Sequence, residues 1–168
     1  MSRGTFDIFE YEKYIILLSA VALIIFASAY DFSNKNKTIS EQQSIVSKVP
    51  FDTKTLKIGQ ITLNIEVADT DVEKEKGLSG REGLAENEGM LFIFDKEGYY
   101  GFWMKDMKFA VDIAWLDKNK KIIYIESDVK PETYPKIFNS PELSLFVLEI
   151  PAGFLVKNNI KISDQVAF

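Results

Sequence analysis

Ile61, Leu63, Ile65 and Val67 alternate without a break with Thr62, Asn64 and Glu66. Side chains of a β-strand point alternately to two faces, so a period of two predicts a strand with one buried side. Leu56 and Ile58 precede a two-residue break at Gly59-Gln60. Glycine at the first turn position suits a type II′ hairpin. The register then sets Ile58 opposite Ile61 and Leu56 opposite Leu63, all on one face.

The rest of the C-terminal two thirds reads in the same way. Met90 to Phe94 is a short, wholly apolar run and predicts a central strand. Gly101 to Met104 predicts another. Val111 to Leu116 and Ile122 to Glu126 flank a five-residue hairpin loop, Asp117 to Lys121. Leu145 to Ile150 and Val166 to Phe168 complete the set. Thr70 with Glu73 fits a capping box for a short helix through Lys76, which Gly77, Gly80 and Gly83 then break. A second short helix starts at Pro151 or Ala152 and ends near Asn158-Asn159. Seven or eight short strands, two short helices and no long helix predict a mainly β fold, a small antiparallel β-barrel or sandwich. A parallel α/β fold would need crossover helices that this pattern lacks.

The N-terminal third is different. After a polar tail of 13 residues, no charge interrupts Tyr14 to Tyr30. As a helix this run spans about 25 Å, at the short end for crossing a bilayer. It is apolar on all sides, whereas a soluble core helix keeps a polar stripe. A transmembrane anchor is one reading. A removable signal segment is another, because Ala27-Ser28-Ala29 is a cleavage pattern that follows an apolar stretch. Both place the following domain outside the cytoplasm. The charges on the two flanks do not decide orientation: Arg3 and Lys13 lie on one side, Lys35 and Lys37 on the other. Residues 31–54 are rich in Ser, Asn, Lys, Gln and Thr, with no period, and read as a flexible linker. Residues 55–168 then form the β domain, long enough for a core of its own.

Composition removes whole classes of chemistry. There is no cysteine and no histidine. No disulfide, thiol nucleophile, Ser-His-Asp triad or imidazole-held metal is available. Acid-base work falls to Asp, Glu, Lys or Tyr. The net charge is −5, and residues 55–168 alone hold 14 basic and 19 acidic side chains. That balance offers no broad basic surface for nucleic acid. The acidic run Asp69, Asp71, Glu73, Glu75 lacks the glycine and the terminal glutamate of an EF-hand, because Lys74 and Gly80 stand at those places. The glycines from Gly77 to Gly89 lack the spacing of a phosphate-binding loop and read as turns. No metal and no cofactor is predicted.

Two carboxylates interrupt apolar strands. Asp112 shares a face with Ala110, Ala114 and Leu116; Glu149 shares one with Leu145 and Val147. A buried acid must be paired, hydrogen-bonded, protonated or at a cavity rim. The pair could act as acid and base, or bind a ligand, or face water at a strand edge beside Arg81 or a lysine. Trp103, Met104 and Trp115 lie close to Asp112 in sequence. Such an aromatic platform grips sugars and cations, and it equally fills a small barrel core.

Four segments in order, GLSGREGLAENEGMLFIF, FWMKDMKFAVDIAWLD, VLEIPAGF and NIKISD, resemble the bacterial and archaeal domain of unknown function 192 family over residues 61–168. The resemblance picks out Arg81, Gly89, Met90, Phe92, Trp103, Met104, Asp112, Glu149, Gly153 and Asp164. Asp106 and Met107 stand where the family pattern has Asn and Thr, and Ser163 stands where it has Gly. The resemblance implies a compact, mostly β domain, often behind a signal or anchor, and no established reaction.

Three functions emerge as expectations. One is a membrane-tethered extracytoplasmic β domain, anchored through Tyr14 to Tyr30. It would bind a small ligand or protein partner through Trp103, Met104, Asp112, Glu149 and Arg81. Another is a hydrolase, acting on a glycan, with Asp112 and Glu149 as acid and base. A structural partner of a membrane complex is a third.

Overall fold

The computed structural model describes residues 28, 30–35, 37 and 51–168. Residues 30–35 are helical. The apolar run predicted to cross the membrane lies, apart from Ser28 and Tyr30, outside the described residues. Among the described residues, no helix is long and apolar enough to cross a membrane. The chain divides into two compact units, Met1–Lys48 and Val49–Phe168. The β domain is the second of them.

Among the described residues nine strands form: β1 Asp52–Ile58, β2 Ile61–Ala68, β3 Glu88–Gly98, β4 Gly101–Phe102, β5 Val111–Leu116, β6 Ile122–Val129, β7 Phe138–Asn139, β8 Ser144–Pro151 and β9 Val166–Ala167. Two short helices join them, α1 Asp71–Lys76 and α2 Phe154–Lys157. Seven strands make one sheet in the order β6-β5-β8-β3-β2-β1-β9, curled into a half-barrel; β4 and β7 pair separately. At one end the start of β6 meets the turn that precedes β9: Ile122 N–H donates to the Asp164 carbonyl (3.0 Å) and Ser163 N–H to the Ile122 carbonyl (2.8 Å).

The local readings hold where the signal is local. β1 and β2 form a hairpin with Ile58 opposite Ile61 and Leu56 opposite Leu63. Gly59 alone in its turn has positive φ (59°), which fits a II′ turn. Thr70 caps α1: its hydroxyl accepts from Glu73 N–H, and the Glu73 carboxylate accepts from Thr70 N–H.

Two expectations need correction. The sheet is not wholly antiparallel, because β2 and β3 run parallel, with Ile65 opposite Gly89 and Val67 opposite Leu91. The crossover is made by α1 and the loop from Gly77 to Asn87, a single helical turn or two in place of the long helix that pattern reading requires. The second correction concerns Gly101 to Met104. Only Gly101 and Phe102 form a strand, and it pairs with the two-residue β7 outside the main sheet.

The sheet is buried on both faces. Side chains from all seven strands, among them Leu56, Leu63, Leu91, Ala114, Ile122, Leu148 and Val166, pack with Phe154 and Leu155 of α2 on one face. That face is the inside of the curl. On the outer face Met90, Phe92, Ile113, Trp115 and Val147 are covered by Leu78, Phe102, Met104 and Phe138. The crossover loop and the segment after β3 are thus pinned over the sheet, and a cleft opens between them.

Candidate functional site: a cleft over Glu149

Strand register decides where the two carboxylates point. Asp112 lies opposite Ile150, and Glu149 lies opposite Ile113. Paired residues share a face, so Asp112 faces inward with Ile150, and Glu149 faces outward with Ile113. The two do not converge, and no acid-base pair is formed between them.

Asp112 is fully buried, and both its oxygens are used. One accepts from Asp128 N–H at 2.9 Å, the other from Leu155 N–H at 3.0 Å. Pairing of β5 with β6 shifts register between Val111 and Ile113, and Asp128 has a positive φ of 53° there. Such an irregularity leaves a backbone N–H without a ladder partner, and α2 begins with N–H groups in the same condition. Asp112 satisfies one of each and ties β6 and α2 to β5.

Glu149 is 5 % exposed and lines a cleft of about 160 Å³. Among the described residues, no hydrogen bond runs to its carboxyl, yet no buried side-chain polar atom is sealed off without a partner. Its oxygens therefore open onto the cleft. Burial pushes its carboxyl up to about 8, with the positive charge of Arg81 acting the other way. A near-neutral acid thus stands at the floor of the cleft at pH 7.

The walls are aromatic. Phe92, Phe94, Tyr100, Phe102 and Trp103 line the cleft on one side, and Lys74 to Ser79 on the other. Phe94 and Tyr100 stack with ring centres 3.4 Å apart, and Phe92 meets Phe102 edge-on at 4.8 Å. The Trp115 indole N–H donates to the Tyr100 carbonyl at 2.9 Å, fixing that wall to β5. The opposite wall is held by Gly80 N–H donating to the Asp106 carbonyl (2.8 Å) and the Ser79 hydroxyl donating to the Lys105 carbonyl (3.0 Å). Asp106 sits at φ 57°, a conformation that Asp and Asn both tolerate, so Asp where the family pattern has Asn leaves this turn intact.

Of the five residues predicted to bind a ligand, Trp103 and Glu149 line the cleft. Trp103 is 52 % exposed and contacts Tyr134 edge-on. Met104 is buried in the outer core, and Asp112 faces the other side of the sheet. Arg81 acts at one remove. Its two terminal nitrogens donate to the two Glu66 oxygens at 2.5 and 2.7 Å, and its cation faces the Phe51 ring. The ion pair with Glu66 holds the guanidinium above its ordinary pKa despite partial burial. Sequence pattern placed Glu66 on the polar side of β2 and gave it no role. Glu66 lies opposite Met90 on β3, and Met90 opposite Glu149 on β8, so the two acids flank Met90 in one cross-strand row. The signal was present in the alternation, but only the strand order shows that this outer face is covered. Among the described residues, no group of acidic side chains could hold a metal ion.

Two solved structures share this fold. One is a protein of Sinorhizobium meliloti 1021 described as a "putative transcription regulator", 24 % identical, with a TM-score of 0.67; the match covers 71 % of this chain and 96 % of that one. The other is a protein of unknown function from Novosphingobium aromaticivorans DSM 12444, 23 % identical, with a TM-score of 0.66, covering 73 % of this chain and 96 % of that one. No curated protein matches. The DUF192 family, described as "Uncharacterized ACR", matches residues 54–168, the β domain with both its sheets and the cleft over Glu149. On that match the chain belongs to the DUF192 family.

Proposed function

We propose that this protein is a membrane-tethered binding module, its β domain held outside the cytoplasm by Tyr14 to Tyr30 and its cleft taking a small ligand. The observation that carries the binding reading is Glu149, a buried carboxyl with no hydrogen-bond partner among the described residues, which opens onto an aromatic-walled cleft. A bare acid in such surroundings costs stability, and the cleft sets aromatic rings and charged side chains around it, the mix of apolar and polar groups that orients a small molecule. Asp112 and Glu149 on opposite faces give no support to hydrolysis by that pair. The net charge of −5 gives none to a nucleic-acid partner.

Tethering is supported by the uninterrupted apolar run and by the polar, aperiodic composition of residues 31–54. Two measurements test the proposal. Carbonate extraction of native membranes, with N-terminal sequencing, is expected to leave the intact chain in the pellet. A soluble product that begins at Tyr30 would replace the tether with a cleaved signal. For the cleft, a library of small neutral, cationic and anionic aromatic fragments is screened by ¹H–¹⁵N spectra. Hits that move the Gly77 and Gly101 amides together are expected; shifts scattered elsewhere, with these two unmoved, would sink the binding reading.

A further inference from the structure

We propose that the ligand of the cleft is a small organic cation, an ammonium group on an apolar stem, with Glu149 as its counter-charge. This deepens the binding reading and rests on it.

A charge count along one row of the outer face leads there. Glu66, Met90 and Glu149 are neighbours across β2, β3 and β8. Arg81 commits both terminal nitrogens to Glu66. Three carboxyls, Glu66, Glu88 and Glu149, therefore share one guanidinium, which pairs directly with Glu66 alone, and Glu149 lacks a cation of its own. In the free protein, a proton supplies the missing positive charge. A ligand cation can take the place of that proton: the neutral Glu149 acid and an ammonium give a carboxylate–ammonium pair, and one proton leaves to solvent.

The walls point the same way. Phe94 and Trp103 both line the cleft, and each already draws an ammonium group: Lys74 Nζ lies 5.3 Å from the Phe94 ring centre, and Lys105 Nζ 6.0 Å from that of Trp103. The faces of these rings thus suit a cation, and in the free protein each is held by one of the chain's own ammonium groups, which a ligand ammonium would have to replace. Lys74 and Lys76 line the cleft as well, with Glu75 offsetting one of them, and repel a cation that makes no contact with Glu149. Only a ligand that reaches the floor gains from Glu149. The volume sets its size. A cavity of roughly 150 Å³ holds one benzene ring, so this cleft admits one ring or a short alkyl chain.

Benzylammonium, benzyl alcohol and benzoate are isosteric probes of opposite prediction. Each is titrated into the full chain in neutral detergent micelles, with the Gly77, Gly101 and Trp103 indole resonances as readout, from pH 6 to 9. Benzylammonium is expected to bind in preference to the other two. Its affinity should rise by up to about tenfold per pH unit as far as pH 8 and level off above, because its binding expels a proton below that point. Glu149→Gln should weaken it at least tenfold and flatten the pH profile. Should Glu149→Gln not fold, Trp103→Ala serves instead: weaker binding with the pH slope retained supports the cation, and a flat profile refutes it. If benzyl alcohol or benzoate moves these resonances and benzylammonium does not, or if the amine binds more weakly as pH rises, the cation is wrong and the cleft stands as a site. If none of the three moves them, the cation falls, and the binding reading falls with it only where the fragment screen also leaves Gly77 and Gly101 unmoved.

Discussion

Asp112 and Glu149 stand one residue out of step on adjacent strands, back to back across the sheet. Asp112 sits among the inner side chains and ties down two backbone N–H groups. Glu149 looks out into the cleft. They share no partner, and Asp112 is not among the groups that move the Glu149 carboxyl. Substitutions at the two sites are expected to add to within about 0.5 kcal/mol. Urea unfolding of the single and double variants measures this, and a larger coupling would mean that they communicate through the sheet.

Asp112→Asn is expected to destabilise the domain by about 1–3 kcal/mol. Asn keeps one acceptor oxygen but turns an NH₂ toward a backbone N–H, leaving either Asp128 or Leu155 unsatisfied. The unfolding midpoint in urea reports the loss. A shift worth less than about 0.5 kcal/mol would show that neither backbone N–H depends on this side chain.

Glu149 makes stability depend on pH in a direction opposite to that of a salt-bridged acid. Its folded value, about 8, lies above its ordinary value of 4.5, so between the two the folded state holds the extra proton. Stability attributable to Glu149 is then fully present below about pH 4.5, falls as pH rises toward 8, and stays at its lower level beyond. The slope is at most about 1.4 kcal/mol per pH unit. The difference between wild type and Glu149→Gln isolates it: the Gln variant should gain on wild type steadily from pH 5 to 8. A constant difference across that range would place the carboxyl at an ordinary value.

Ser163 has φ 82°, in the region that disfavours any side chain. It precedes Asp164 at the junction that closes the half-barrel, and its N–H donates to the Ile122 carbonyl. The family pattern has Gly here, and the backbone explains why. Ser163→Gly should stabilise the domain by about 0.5–1 kcal/mol, the relief of strain less the entropy that Gly adds to the unfolded chain. Thermal unfolding decides it, with an unchanged or lower midpoint counting against strain at this turn.

The two tryptophans should behave oppositely. Trp115 is fully buried and joins Phe102 and Tyr124 in the outer core, so Trp115→Ala is expected to cost about 3–5 kcal/mol. Trp103 is half exposed over the cleft, and Trp103→Ala should change stability by no more than about 0.5 kcal/mol. Chemical denaturation separates the two. A heavy cost at Trp103 would make it core rather than cleft wall.

Elements specified by neighbours in sequence were legible in the sequence. The β1–β2 hairpin and its register follow from alternation and one glycine, and α1 starts where Thr70 and Glu73 cap each other. Both depend on interactions a few residues long, so the residues concerned carry the whole signal. Asp112 and Glu149 were legible as anomalies, acids in apolar strands, but not as separate ones. Alternation fixes which residues of one strand share a face. It says nothing of the register between β5 and β8, which lie side by side although 27 residues of chain separate Leu116 from Ser144. That register turned one acid inward and the other out. Glu66 read as a solvent-facing residue because a polar strand face looks the same whether water or a folded loop lies over it. The parallel pairing of β2 with β3 brought the crossover loop across that face, and with it Arg81 and the wall of the cleft. Contacts between segments far apart in the chain are set by how all the buried faces are satisfied at once, and no single stretch of sequence records that.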